Sequence, residues 1–461
     1  MTDRVYKDQV LVVEPTGIEP VTHAQRHGSP RDLFGMWFSA NAEIATWMVG
    51  VFITALYGTD LRSATVGILI GNLLGFGLLG ILATFGPQYG VPQMVASRLA
   101  FGMLGNTGPA VLSLLAGVGW FAINTIFGAY ALQTIAGWPY LAALGAMLLL
   151  QVVLAVYGYN LIRLFEMTSA VLLAIGFTVL GFATLPHAGW SAPFNPHAPI
   201  AGGGAIAGFI FAGALAFSYA TGWLPCAADY SRYLPRSSNP RAVWWYSFLG
   251  CAVPCIILEV MGAATVTAAR HVDFSTTIPT QAIIALLGSG IAGKLVLATV
   301  VLGTLTANSM NLYSGALAAL VAFRIRIPRA AAALAVGIIG TAIAVGGGHP
   351  RSTAEFYTNF LLLLSYWASP WAGVVFADWL AHRRDRRSPD RVPAWGAGSL
   401  AWLVGLLASL PFWNQVWFVG PIARAQPQAG DLSYYVGFII AALCTYGFAR
   451  IRKGYDIHAT G

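Results

Sequence analysis

Long apolar runs recur along this chain and restrict its fold more than any other feature. Many of them reach roughly 18 residues, which is enough to cross the hydrocarbon core of a bilayer as an α-helix. The runs are continuous and do not alternate between apolar and polar residues, unlike the strands of a membrane barrel. Only 9% of the 461 residues are charged, against about 25% in soluble domains. The sequence therefore predicts an all-α integral membrane protein.

The residues that interrupt the apolar runs predict about twelve transmembrane helices. The expected spans are 33–57, 63–86, 108–135, 138–157, 164–185, 204–228, 243–268, 291–322, 330–347, 355–380, 394–413 and 432–450. The preceding residues 1–32 form a polar arm, in which we expect no cleavable signal because no short apolar core precedes a cleavage site.

The basic residues predict the orientation of these spans. Twenty of the 25 Lys and Arg residues fall on one side, and the other side keeps Arg62, Arg270, Lys294, Arg351 and Arg424. Positively charged loops remain in the cytoplasm, so we expect both termini to be cytoplasmic and the protein to lie in the cell's inner membrane. The net charge of +8 is thus a topology signal, and we expect no nucleic-acid partner.

Two spans are interrupted at positions that correspond if spans one to five and six to ten form an inverted repeat. Span one has small and polar residues from Ser39 to Glu43, and span six has Gly222 and Pro225, which weaken a helix. Interrupted helices in matching positions are typical of the binding site of secondary transporters. Glycine and proline also serve as simple packing sites and kinks in membrane helices, and that alternative stays open.

Aromatic and amide side chains at bilayer depth are candidates for substrate binding. Trp120 and Asn124 lie one turn apart in span three and therefore share a face. A flat heteroaromatic ring needs an aromatic surface to stack on and an amide that donates and accepts. Trp223 in span six is placed to cover the other face of such a ring. Ordinary packing between helices is the alternative for all three residues.

Span eight is unusually polar, and span one contains a deep carboxyl group. Asn308 and Asn311 lie a turn apart, while Thr306 and Ser309 offer oxygen ligands to a small cation such as sodium. Hydrogen bonding between helices is the alternative. Glu43 must be paired, protonated or in contact with water, because an isolated buried charge is costly. It can couple transport to protons, bind an exocyclic amine or serve the structure.

The sequence lacks the motifs of enzymes and of ATP-driven pumps. We find no HExxH, no G-x-S-x-G and no P-loop. The four cysteines lie in apolar segments and are interpreted as small buried hydrophobic residues. We therefore expect neither an enzymatic activity nor a metal or organic cofactor, apart from a coupling proton or sodium ion.

Several short stretches, taken in order, resemble the nucleobase:cation symporter family in its purine–cytosine permease branch. They are Gly17–Val21, Met36–Asn41, Gly71–Leu74, Ser97–Gly102, Gly119–Phe121, Ala228–Tyr233, Asn308 with Leu312–Ser314, and Gly373–Asp378. The resemblance covers most of the chain. It implies a LeuT-type bundle of two inverted five-helix repeats, residues 33–186 and 204–381, followed by two additional C-terminal helices in 394–450 and a cytoplasmic tail, 451–461.

The resemblance also implies a base held between an aromatic residue of span three and one of span six. Trp120 and Asn124 match the span-three aromatic and amide. Trp223 matches the span-six aromatic, with Tyr219 as a rival, and Asn311 or Asn308 matches the span-eight amide.

Further residues match the region around the break in span one. Thr46 would lie there beside the substrate. In sodium-coupled members, carbonyl groups such as those of Ala42 and Ala45 and a hydroxyl such as that of Thr306 hold the ion. Ala307 stands where such members tend to carry a second hydroxyl, which favours protons slightly.

The sequence thus predicts a secondary transporter that imports cytosine or a purine such as adenine, guanine or hypoxanthine by cation symport with alternating access. Two alternatives stay open. One is the transport of another planar ring, namely hydantoin, allantoin, a vitamin pyrimidine or a nucleoside. The other is a membrane receptor that does not transport. The choice of base, the coupling ion and the oligomeric state do not follow from the sequence.

Overall fold

The structure is a computed structural model that describes residues 9–269, 272–274, 278–347, 350–383, 385, 387–415 and 418–459. In chain order its helices are α1 (Pro30–Asn41), α2 (Ile44–Ala55), α3 (Leu61–Ala83), α4 (Phe85–Tyr89), α5 (Gln93–Ala96), α6 (Arg98–Phe101), α7 (Thr107–Ala136), α8 (Tyr140–Tyr157), α9 (Tyr159–Thr184), α10 (Gly204–Trp223), α11 (Ala227–Ser231), α12 (Pro240–Ala268), α13 (Pro279–Leu287), α14 (Ile291–Phe323), α15 (Arg329–Gly347), α16 (Pro350–His382), α17 (Ala397–Ser409), α18 (Pro421–Ala425) and α19 (Ser433–Ala459).

Most of these helices are membrane spans by length and composition. Within the described residues, nine are long and apolar enough to cross a bilayer, and the bent pair α1–α2 makes a tenth. Two helix pairs form extensive interfaces, α7 with α14 and α3 with α10, and α12 packs against both α1 and α2. The multi-pass all-α architecture that the sequence predicts is confirmed, while the count of twelve spans and their grouping into repeats stay predictions.

The interruption that the sequence predicts in span one is present. The helix α1 begins at a capping box, in which the side chains of Ser29 and Asp32 each accept from the other residue's backbone amide, and Pro30 occupies its first turn. It ends at Asn41, because Ala42 (ψ 67°) leaves the helical region and Glu43 is extended (φ −139°, ψ 169°). The two halves α1 and α2 meet at an angle of 56°.

Span six is interrupted in a different way from the one we expect from the sequence. Thr221 and Gly222 stay within α10, and Pro225 lies in a 3-10 turn, Leu224–Cys226, that joins α10 to α11. Pro225 stands in the first turn of that short helix, where its missing N–H is not needed. The segment from α10 to α11 therefore remains one span, without a bend like that of α1–α2.

A buried ionic cluster fastens the N-terminal arm to the helices. The side chain of Glu14 is fully buried and accepts from Arg232 at 2.8 Å and from the hydroxyl of Tyr313 at 2.9 Å. The hydroxyl of Tyr233 also donates to it, and Arg329 lies 3.5 Å away. The cluster joins the arm to α14, α15 and the residues that follow α11.

Some residues in the orientation argument lie outside the described part of the chain. These are Arg4, Lys7, Arg270, Arg384 and Arg386, and the side chains of Arg351, Arg452 and Lys453. The predicted placement of the termini stays a prediction.

Candidate functional site

Backbone carbonyl groups on both sides of the bend between α1 and α2 accept hydrogen bonds from side chains of α2 and α16. The hydroxyl of Thr46 donates to the carbonyl of Asn41 at 2.6 Å. The hydroxyl of Tyr357 donates to the carbonyl of Ala45 at 2.8 Å. The first contact satisfies an acceptor that the C-terminal end of α1 leaves open, whereas the second adds a bond to a carbonyl in the first turn of α2.

The helix α14 approaches the bend closely because Gly303 has no side chain. A Cβ at this position would lie 2.8 Å from the carbonyl oxygen of Ala42 and 3.2 Å from the Cα of Glu43. The structure thus places the carbonyl of Ala42 against α14, on the side where the sequence predicts a cation.

A continuous chain of hydrogen bonds runs from Glu43 into the bend. The hydroxyl of Tyr219 lies 3.1 Å from Oε1 of Glu43 and 2.7 Å from the hydroxyl of Thr46, which in turn contacts the carbonyl of Asn41. The hydroxyl of Tyr219 donates to Oε1 of Glu43, and the hydroxyl of Thr46 donates to the carbonyl of Asn41. The two hydroxyl oxygens lie within hydrogen-bond distance of each other and complete the chain.

Trp120 forms the centre of an aromatic cluster that joins three helices. Its ring lies edge-to-face with Tyr219 of α10 at 5.4 Å and 82° between planes. Tyr357 and Phe360 of α16 lie 5.9 and 5.3 Å from it, also edge-to-face. Gly222 permits α10 to come this close, since a Cβ there would lie 3.3 Å from the indole nitrogen of Trp120.

Two side chains beside this cluster carry unpaired polar atoms. Both amide atoms of Asn124 and Oε2 of Glu43 are buried and make no hydrogen bond of regular geometry within the part of the chain that the structure describes. The two side chains lie next to each other, so the amide of Asn124 is a polar neighbour of the Glu43 carboxyl. Buried polar groups are almost always hydrogen-bonded, so these atoms indicate a ligand site.

The structure separates the two rivals for the span-six aromatic. Tyr219 faces Trp120, Thr46 and Glu43, whereas the ring of Trp223 lies edge-to-face with Trp37 at 5.6 Å. Trp223 is thus not brought into the cluster. Tyr219 and Trp223 lie one helical turn apart, and the orientation of α10 relative to α7 determines which of the two contacts α7.

The span-eight amides have different surroundings. Asn308 donates to the carbonyl of Phe121 at 2.9 Å and to the hydroxyl of Thr125 at 3.1 Å, and thereby ties α14 to α7. Asn311 donates to the side-chain oxygen of Asn308 at 3.3 Å. Asn308 therefore fixes α14 against α7, and the side chain of Asn311 is hydrogen-bonded to that of Asn308.

The hydroxyl of Thr306, the predicted cation ligand, already has partners. It lies 3.0 Å from the carbonyl of Ser39 in α1 and 2.8 Å from that of Gly303. The carboxyl of Glu166 in α9 lies at the same junction, 2.9 Å from the hydroxyl of Ser309.

The sequence analysis did not single out Tyr357, Phe360 and Glu166, which the structure brings to this region. The first two lie three residues apart in α16 and so share a face, a signal that the sequence contains. Glu166 lies near one end of its expected span, and only the packing of α9 on α1 and α14 brings it to the junction.

Comparison with known proteins identifies relatives over nearly the whole chain. The sequence profile of a family described as permeases for cytosine/purines, uracil, thiamine and allantoin matches residues 20–437. The purine-cytosine permease fcyB of Emericella nidulans is 30% identical over 455 residues, which cover 94% of this chain and 87% of fcyB. The putative purine-cytosine permease YxlA of Bacillus subtilis is 27% identical over 461 residues, which cover 96% of this chain and 97% of YxlA.

A solved structure shares the fold. Mhp1, a nucleobase-cation-symport-1 family transporter in a closed conformation with bromovinylhydantoin bound, superposes with a TM-score of 0.72 at 20% identity and 95% coverage of both chains. The inward-facing conformation of Mhp1 superposes with a TM-score of 0.70. The LeuT-type fold class that the sequence predicts is thereby confirmed.

Proposed function

Because the chain belongs to the family of permeases for cytosine/purines, uracil, thiamine and allantoin, we propose that it imports a nucleobase by cation symport. The substrate is cytosine or a purine such as adenine, guanine or hypoxanthine. Membership in this family confirms the predicted class, a transporter and not an enzyme. The inner membrane and cytoplasmic termini are part of the proposal.

The observation that carries the proposal is the pairing of Trp120 with unpaired polar atoms. Trp120 offers an aromatic face, and Asn124, beside the carboxyl of Glu43, offers a donor and an acceptor that make no hydrogen bond of regular geometry within the described chain. Nucleobase edges present donors and acceptors side by side. A base that stacks on the indole can therefore pair its edge with the amide and with Oε2 of Glu43.

Tyr219 closes the site on the side opposite Trp120. A base between the two rings needs them roughly 7 Å apart, since each stack takes about 3.5 Å. The rings are now 5.4 Å apart and nearly perpendicular. The site is thus contracted, and substrate entry turns one ring and parts the pair. Thr46 contacts Tyr219, while Asn308 ties α14 to α7 and bonds to Asn311.

We further propose that the coupling ion is a proton. Sodium sites in transporters of this type use backbone carbonyl groups at an interrupted helix, and hydroxyl oxygens add to them. Thr306 offers one hydroxyl oxygen, whose hydrogen is donated to the carbonyl of Ser39, and Ala307 supplies none. The missing hydroxyl at Ala307 therefore favours the proton.

The decisive experiment measures uptake of labelled cytosine and adenine by cells that lack their own base permeases. Unlabelled purines, uracil, hydantoin and allantoin serve as competitors, with and without sodium and with and without a proton uncoupler. We expect saturable accumulation that purines block and the uncoupler abolishes. Absence of uptake of both bases, in cells whose membranes contain the protein, would refute the nucleobase assignment, and binding without accumulation would favour a receptor.

A further inference from the structure

Glu166 is a carboxyl group buried in the membrane-spanning part of the protein, and the proposed substrate site does not use it. It lies in α9 with no exposed surface. Its Oε1 is 2.9 Å from the hydroxyl of Ser309, and its Oε2 has no partner among the residues that the structure describes. Its backbone carbonyl accepts from the hydroxyl of Ser39 at 2.5 Å. The group therefore lies where α1, α9 and α14 meet.

We propose that Glu166 is the site that binds and releases the coupling proton. The inference rests on the proposed function and names the coupling group. It assigns different roles to the two carboxyl groups of this region. Glu43 contacts the base, and Glu166 carries the proton.

The hydroxyl of Ser309 allows Glu166 to exist in two protonation states without rearrangement. Its single hydrogen can point to the carbonyl of Thr306, 2.9 Å away, or to Oε1 of Glu166, also 2.9 Å away. With the first orientation, a protonated carboxyl donates to the hydroxyl. With the second, an ionised carboxylate accepts from it. Rotation of one hydroxyl thus serves both states.

Glu43 has different surroundings. Its Oε1 accepts from the hydroxyl of Tyr219, which also contacts the hydroxyl of Thr46. These contacts connect Glu43 to the bend and to the ring that faces Trp120. The contacts of Glu166 lie instead at the junction of α1 and α14, which separates the proton site from the substrate site.

Few charged groups face Glu166 from the surrounding helices. Glu43, at the end of α1, is the ionisable group that acts on it electrostatically. Arg163, one turn earlier in α9, is paired with Asp32 of α1 at 2.7 Å. On α12, Glu259 is bound to Asn72 at 2.6 Å.

Among the described residues, no cation of the other neighbouring helices acts on Glu166. Lys294 of α14 is exposed, and α8 and α13 carry no charged residue.

This environment couples the proton to the movement of helices. A neutral carboxyl is tolerated in the dry junction, whereas an ionised one without a cation is costly there. The proton taken up from outside therefore favours the closed junction of α1, α9 and α14. Its release to the inside favours separation of these helices and entry of water, so the cycle completes only when a new proton binds.

The test uses the purified full-length protein in liposomes, with whichever labelled base the uptake assay identifies. Two rates are measured, namely accumulation driven by a pH gradient and exchange of internal for external base without a gradient. We expect Glu166→Gln to reduce driven accumulation at least tenfold and to keep exchange within about twofold of the wild type. Glu166→Asp, which can still titrate, should restore part of the accumulation.

Glu259→Gln is the matched control, because it removes another buried carboxyl group outside the junction and should retain both activities. Wild-type accumulation in Glu166→Gln would overturn the proposal, and so would loss of exchange in both Glu166 variants, which indicates a structural role. Accumulation of base driven by sodium in the wild type would also overturn it. Failure of the wild type in both assays would instead refute the nucleobase function itself.

Discussion

Individual side chains determine which molecule this site can accept, and Trp120 and Asn124 allow the sharpest test. We predict that Trp120→Ala and Asn124→Ala each abolish uptake, because the first removes the stacking surface and the second the amide that reads the edge. Base stacking on an aromatic residue contributes about 1–3 kcal/mol, which corresponds to at least a several-fold loss of affinity. Uptake per amount of protein in the membrane is the measurement.

Trp190→Ala is the control for this test, since Trp190 lies in a loop and is 43% exposed. It should transport like the wild type. Wild-type rates in either site variant would refute the assignment of that residue.

At this scale the sequence is informative where the signal is local. Trp120 and Asn124 follow from their spacing of four residues within one helix. Which of Tyr219 and Trp223 contacts Trp120 depends on how α10 is rotated against α7, and no local pattern contains that angle. The position of Glu166 does not follow from the sequence for the same reason, since its neighbours Ser39 and Ser309 are distant in sequence.

At the scale of elements, the loop between α17 and α19 gives a prediction about pH. Asp431 accepts from the hydroxyl of Tyr366 at 2.8 Å and from the backbone amides of Asn414 and Ser433 at 3.1 and 3.0 Å. Burial nevertheless raises its pKa to about 6 from the ordinary 3.8. The folded protein therefore holds this proton more tightly than the unfolded chain does.

The direction of the pH effect follows from the linkage between protonation and folding. The stabilisation of the folded protein by protonated Asp431 is fully present below pH 3.8 and is lost as the pH rises through about 6. The difference between the two pKa values corresponds to about 3 kcal/mol, at 1.36 kcal/mol per pKa unit. We predict that Asp431→Asn flattens the decrease in melting temperature between pH 4 and 7. The exposed Asp390→Asn serves as control, and an unchanged slope in Asp431→Asn would contradict the assignment.

Helices were easier to predict than their interruptions. The bend at Ala42 and Glu43 follows from a cluster of small and polar residues, and the structure contains it. The interruption in span six differs, because Pro225 falls in the first turn of a short 3-10 helix where its missing N–H costs little. The sequence shows that a proline is present but not which turn it begins.

For the whole molecule, the buried cluster around Glu14 predicts a dependence of stability on the N-terminal arm. Glu14→Gln leaves Arg232 and Arg329 buried without their carboxylate, and breaking a buried pair in this way costs about 3–5 kcal/mol. We expect a clearly lower melting temperature for the full-length protein in detergent.

Glu19→Gln is the matched control, because Glu19 belongs to the same arm but is exposed. Its melting temperature should equal that of the wild type. If Glu14→Gln also melts like the wild type, the cluster does not stabilise the fold. The family motif Gly17–Val21 lies in this arm and draws attention to it in the sequence. No local pattern in the sequence, however, predicts that Glu14 contacts Arg232.

The edge-to-face contact of Trp120 and Tyr219 has a consequence for selectivity. In the empty protein the two rings pack against each other and occupy the space that a substrate needs. Substrate binding therefore has to break the contact between them. An incoming molecule must replace an interaction worth about 0.5–1.5 kcal/mol beyond its buried area. Small or non-planar solutes cannot replace the lost ring–ring interaction, because they stack on neither ring. At the proposed site, the ring pair would weaken the binding of such solutes by about two- to tenfold.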